Sequence, residues 1–246
     1  PQRDRTAHAT LVRECYKAAI AHAIACQEER NKQGFPMANG VYVDIEMDKK
    51  FIPVSLGKQD GHGGATIMKV TDKGNESSVD VTVFVKKDKK NWLDKKVDDY
   101  EKKNTPKGIP CNEKIIAPIN NIVATDIRTL YVSAAEFDAI PEDGFYRYEL
   151  WLSHSKENTD ETIETTLLQL GIEKLTEPLR FDGVNVWLIG ASKQQLCSLP
   201  FSLGYIESIR PYKEPSILIG TNTENREWSE LIKNQITFCD DAENVI

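Results

Sequence analysis

Histidine and paired cysteine are scarce in this 246-residue chain. Only four histidines occur, His8, His22, His62 and His154. The five cysteines, Cys15, Cys26, Cys111, Cys197 and Cys239, are scattered. An odd number without recurring spacing is no disulfide framework. With neither C-x-x-C nor H-x-x-x-H there is no zinc pattern and no metal site is expected. All five thiols are expected to be small, partly buried side chains in a reducing compartment. Positive charge is also short: 31 Lys+Arg against 38 Asp+Glu leave −7. That argues against nucleic acid as the main partner, since phosphate binding needs a basic face. No window approaches the ~18 consecutive apolar residues of a membrane span. No apolar secretion core follows the opening Pro1-Gln2-Arg3-Asp4-Arg5. The expectation is a cytoplasmic protein with neither a membrane nor a nucleic acid as partner. The missing initiator Met adds the expectation that the natural N-terminus is trimmed away. What is present is core-forming material, 40% hydrophobic residues, enough for one large domain or two small ones.

Periodicity assigns the elements. Leu11, Cys15, Ala18, His22 and Cys26, flanked by Val12, Ala19 and Ala23, predict a helix over 6–31 with Arg13, Lys17, Gln27 and Glu28 on its solvent side. Gly34 and Pro36 end it. Val41, Val43 and Ile45 alternate with Tyr42, Asp44 and Glu46, the period of a half-buried strand. Strands follow over 65–70 and 79–85, the second apolar on both faces. The lysine-rich run 86–103 predicts a solvated helix from about Asn91, with Trp92, Leu93, Val97 and Tyr100 as its buried stripe. Residues 115–130 predict another helix. After the turn Pro141-Glu142-Asp143-Gly144 the pattern changes. It becomes strand 146–152, a helix capped at 158–162 and running to Leu170, strand 175–181, strand 184–189, a short helix from Ser192 and strand 206–212. That β-α-β-β-α-β order is the ferredoxin-like one, closing as an antiparallel sheet. The fold class is therefore α+β. Its parts are an N-terminal helix (1–36), a first α/β unit (37–142), a ferredoxin-like unit (143–214) and a connector (215–246) with a short helix over 228–236.

Catalytic chemistry is hard to find. Asp60-Gly61-His62-Gly63-Gly64 is similar to the histidine motif of a subtilisin-like protease, where His is a general base. However, no Asp-[Ser/Thr]-Gly precedes it, no Gly-Thr-Ser or G-x-S-x-G follows, and a strand rather than a helix comes next. A glycine-rich loop fits better. Phosphate-cradling motifs are absent. The adjacent pairs Asp98/Asp99, Glu142/Asp143 and Asp240/Asp241 point different ways and suit solvated surface. Asn75-Glu76-Ser77 matches a glycosylation acceptor but lacks a secretory context. The four tryptophans, Trp92, Trp151, Trp187 and Trp228, suit core or interface positions.

The second half carries a resemblance. Val186-Trp-Leu-Ile-Gly-Ala-Ser-Lys-Gln-Gln-Leu-Cys-Ser-Leu-Pro-Phe201, followed by Gly204-Tyr-Ile-Glu-Ser-Ile-Arg-Pro211, resembles the prodomain of subtilisin-like serine peptidases. Asn39–Glu46, Val81–Val85, Ile122–Leu130 and Phe137–Trp151 resemble the long N-terminal regions of bacterial intracellular members. The resemblance covers most of 5–214. It implies a regulatory, inhibitory and folding-assisting region, itself without catalytic residues or cofactor, of a serine endopeptidase whose catalytic domain would follow Ile246. The sheet would pack on the protease, and the terminal strand would enter the substrate cleft as an added strand. Ile209, Arg210, Pro211, Tyr212 and Lys213 would form that cleft-facing tail. The partner implied is the subtilisin-like catalytic domain of the same precursor, with an ATPase as a further one. Two alternatives stand beside it: a stand-alone protein-binding α/β module, and an enzyme built around His62.

Overall fold

The computed structural model describes residues 4–49, 64–72 and 77–213. The His62 loop, the Asn75 acceptor and the connector with its 228–236 helix lie outside the described residues. The chain divides into a compact unit ending at Tyr212 and a second one beginning at Lys213. Every described helix and strand lies in the first.

That unit is α+β and contains two antiparallel sheets. Helix α1 (Arg5–Lys32) comes first, started by the Asp4 side chain accepting from the Ala7 N–H. Strands β1 (Gly40–Asp48), β2 (Ala65–Asp72) and β3 (Ser78–Lys86) follow, then α2 (Trp92–Lys102), α3 (Glu113–Ile116) and β4 (Ile119–Ala124). The first sheet has the order β2-β3-β1-β4. Short helices α4 (Ile127–Leu130) and α5 (Ala134–Asp138) lead to β5 (Tyr146–Ser153), α6 (Asp160–Gln169), β6 (Glu173–Lys174), β7 (Leu179–Arg180) and β8 (Val184–Ala191). Helices α7 (Lys193–Leu196) and α8 (Leu199–Ser202) and strand β9 (Ile206–Pro211) complete the unit. In the second sheet β6 and β7 both pair with β8, followed by β5 and β9. Both sheets therefore share one strand order, second-third-first-fourth, with every neighbour antiparallel.

Several expectations are corrected. Residues 115–130 are not one helix but α3, β4 and α4. A bulge where β4 meets β1 moves the register from Glu46↔Asn121 to Met47↔Ile119. The extra residue puts Ile119 and Ile122 on one buried face three apart, which imitates a helical spacing. Of the predicted strand 175–181 only Leu179–Arg180 (β7) is strand, β6 lying just before it at Glu173–Lys174, and Pro178 between them has no N–H for the ladder. Helix α1 is rotated from its predicted face. Leu11 is 45% exposed, whereas Tyr16, Ile20 and Gln27 are buried. The Gln27 amide donates to the carbonyls of Ala38, Gly40 and Phe201, and the Tyr16 hydroxyl to that of Lys90. Partners such as Phe201 and Lys90 lie far along the chain, and counting apolar residues misses them.

Strand β1 is covered on both faces rather than half-buried. Val43, Ile45 and Met47 join α1, β3 and α2 in one core, whereas Tyr42 points into the other with Phe84 and most of the second sheet. The Phe84 ring lies 4.8 Å from Tyr42 and 4.7 Å from Tyr205, centroid to centroid. It also sits on Gly40 and Gly204, where a Cβ would come within 2.5 and 2.6 Å of it. The Tyr42 hydroxyl donates to the Leu203 carbonyl at 2.9 Å and accepts from the Ile206 N–H at 2.8 Å. Burial raises the pKa of this phenol well above its ordinary value, so it remains the donor. Tyr42→Phe should leave two buried backbone groups without partners. The expected loss is about 1–3 kcal/mol for each, seen as a lower urea midpoint at unchanged slope.

Asp44 is buried too. Its carboxylate accepts from the Thr82 hydroxyl at 2.6 Å and the Thr129 hydroxyl at 3.0 Å. Lys69 donates to the carbonyls of Thr129 and Tyr131, so β1, β2, β3 and α4 meet here. Burial raises the Asp44 pKa, and the hydroxyls only partly oppose it. Between the unfolded value of about 3.9 and the raised folded one, the native state holds a proton that the unfolded chain has lost. This contribution to stability should therefore fall as pH rises through that window. Urea titrations from acidic to neutral pH should show the decline in the wild type and its loss in Asp44→Asn.

Candidate functional site

The inner face of the second sheet is filled. Tyr148, Leu150, Leu152, Trp187 and Ile189 pack with Ile163 and Leu167 of α6 and with Leu196 and Leu199 of α7 and α8. Alternation sends the other residues outward. Register places Arg210, Glu149 and Leu188 in one row across β9, β5 and β8, and Ser208, Trp151, Val186 and Leu179 in the next. Val186 and Ser208 of the second row are buried beneath their neighbours. Phe181 is 52% and Leu179 63% exposed.

The face is ordered. The Arg210 guanidinium lies 4.0 Å from the centroid of the Trp151 ring, a cation–π arrangement. Phe181 stacks parallel to the same indole at 6.3 Å. The Trp151 indole N–H donates to the Glu149 carboxylate at 3.0 Å, which fixes the ring's orientation. Phe145 lies over Gly190, where a Cβ would collide with its ring, so this glycine admits the aromatic at the rim. The result is a solvent-facing aromatic patch with Arg147 and Arg210 on the same face, whereas Arg180 turns to the helix side and pairs with Asp160 of α6.

The five predicted tail residues differ in placement. Ile209 is fully buried, and its carbonyl accepts from the Val132 N–H at 2.9 Å. Its side chain belongs to the core. Arg210 is exposed on the patch, Pro211 closes β9, and the Tyr212 N–H donates to the Arg147 carbonyl at 3.0 Å. Lys213 is exposed where the described chain ends. The strand thus leaves the sheet beside the aromatic patch. Phe181, Leu179 and Phe145 were not singled out from sequence. Leu179 and Phe181 share one face of the predicted strand 175–181, and that alternation was the signal available. Among the described residues no group of three His, Cys, Asp or Glu side chains is placed to hold a metal, and no helix is long and apolar enough to cross a membrane.

No family model matches the chain, and neither a curated protein nor a solved structure does. The double variant Leu179→Ser/Phe181→Ser should cost less than about 1 kcal/mol, because half-exposed side chains lose little on truncation. Urea unfolding checks this, and a much larger loss would mean that the two side chains are buried in solution.

Proposed function

We propose that this chain is a non-catalytic, regulatory and folding-assisting N-terminal region of a subtilisin-like serine endopeptidase. The observation that carries the reading is the aromatic patch of Trp151, Phe181 and Leu179 beside the exit of β9. A contiguous exposed apolar patch rimmed by charge is a protein-docking surface. The antiparallel order of the second sheet supports the ferredoxin-like, prodomain-like assignment. In this reading the patch docks on the catalytic domain, and the chain from Arg210 onward is led toward the substrate cleft, where backbone pairing holds it. Inhibition then needs neither a catalytic residue nor a cofactor on this side. A cytoplasmic, bacterial setting and an ATPase partner belong to the same proposal.

Two measurements test it. The coding sequence beyond Ile246 should contain an Asp-[Ser/Thr]-Gly motif within a few tens of residues; a stop codon there overturns the linked-precursor form. The chain at micromolar concentration should slow peptide hydrolysis by that separately produced catalytic domain. Trp151→Ser should weaken the inhibition at least about tenfold, or ~1.4 kcal/mol. Unchanged cleavage in the presence of the chain rejects the inhibitory role and favours a stand-alone binding module.

A further inference from the structure

A pocket of about 340 Å³ opens between α1, β1, the 124–127 segment and the α7–α8 region. That is the lower end of the roughly 300–1,000 Å³ typical of small-molecule sites. Its polar lining includes His22, Gln27, Arg30, Thr125 and Asp126, with the thiols of Cys26 and Cys197 between them.

Three observations make it more than a crevice. Gln27 is 1% exposed, and although its amide nitrogen makes three hydrogen bonds, its carbonyl oxygen makes none. An unmet buried acceptor is costly unless something with an N–H or O–H fills it. Second, the buried Arg30 Nε also lacks a partner. The Arg30 guanidinium is fixed between Phe35 and Phe201, at 5.3 and 5.1 Å, and bonds the Ser198 hydroxyl. Among the described residues no carboxylate pairs with it. Third, Arg30 and Asp126 line the same pocket as Cys197, whose thiol pKa is raised first by burial and then by Asp126, with Arg30 opposing. Yet the two are not an ion pair. Asp126 is held instead by capping α4, where its side chain accepts from the Arg128 N–H at 2.8 Å, and its other carboxylate oxygen lies 3.7 Å from the exposed Arg128 guanidinium.

A held cation and a solvent-facing anion thus line one small pocket without meeting. We propose that this pocket binds a small zwitterion of the free amino acid class. Its carboxylate would pair with Arg30, as a guanidinium fork suits a carboxylate. Its ammonium would lie toward Asp126. The apolar walls of Val41, Ile127 and Pro200 would receive its side chain. The inference does not depend on the docking reading, since none of these residues lies on the outer face of the second sheet.

The test is a thermal-shift and calorimetric titration of the full chain with each standard free L-amino acid at millimolar concentration. The N-acetyl and C-amide derivatives of any that bind serve as probes. At least one free amino acid should raise the Tm saturably, and its two derivatives, each lacking one charge, should not. Asp126→Asn keeps the helix cap and should lose at least tenfold in affinity with the unliganded Tm close to wild type. Arg30→Gln should lose more, but it also removes a cation packed between two rings, so Asp126→Asn is the deciding variant. Absence of a shift with every amino acid, equal binding of the derivatives, or full affinity in Asp126→Asn would each overturn the assignment.

Discussion

One aromatic ring joins the two halves of this unit. Phe84, near the end of β3, fills the space between the sheets because Gly40 and Gly204 leave no Cβ in its way. Tyr42 and Tyr205 pack against it from either sheet. Burying such a ring is worth roughly 1.5–3 kcal/mol, and aromatic pairs add about 0.5–1.5 each. The Tyr42 hydroxyl then satisfies the two backbone groups that enter β9, Leu203 C=O and Ile206 N–H. The joint is therefore apolar in bulk and directional at its tip. The apolar part favours contact, and the hydroxyl fixes where β9 begins. With β9 set, its pairing with β5 fixes the rows of the outer face.

The two faces of the second sheet follow opposite rules. The inner one is closed by three helices and by Phe84 and Tyr42 from the first sheet. The outer one keeps Trp151, Phe181 and Leu179 near solvent, held by a ring stack, a cation–π contact and one indole hydrogen bond. Those contacts orient the aromatics without burying them. Side chains already held in place lose little entropy when a partner covers them, which favours binding over mere exposure.

How far the sequence disclosed this differs by residue. The strand alternation at Tyr146–Leu152 and the short helix starting at Ser192 are local signals, and the structure contains both. The 115–130 segment misled because a bulge in β4 reproduces a helical spacing, and a bulge is decided by pairing with β1, not by β4 itself. Gln27 and Asp44 misled because the groups that bond them when buried are distant in the chain. Those partners, Phe201 and Thr129 among them, are 174 and 85 residues away in the chain. Candidate tail residue Ile209 fell inside the core for a similar reason: its backbone is claimed by the 131–132 segment, which sequence alone did not bring to β9.

The pocket and the docking face share a structural dependence. Gln27 and Arg30 of α1 both reach the α8 region, through Phe201 and Ser198. That region lies between β8 and β9 in the chain, so the link that shapes the pocket wall also positions the strand that sets the outer face. A ligand bridging Arg30 and Asp126 would add a further tie across this seam, between α1 and the 124–127 segment. Coupling of this kind works through a shared wall and requires no rearrangement of either sheet. It would make occupancy of the pocket and rigidity of β9 vary together, and by linkage whatever holds β9 still would tighten the pocket in return.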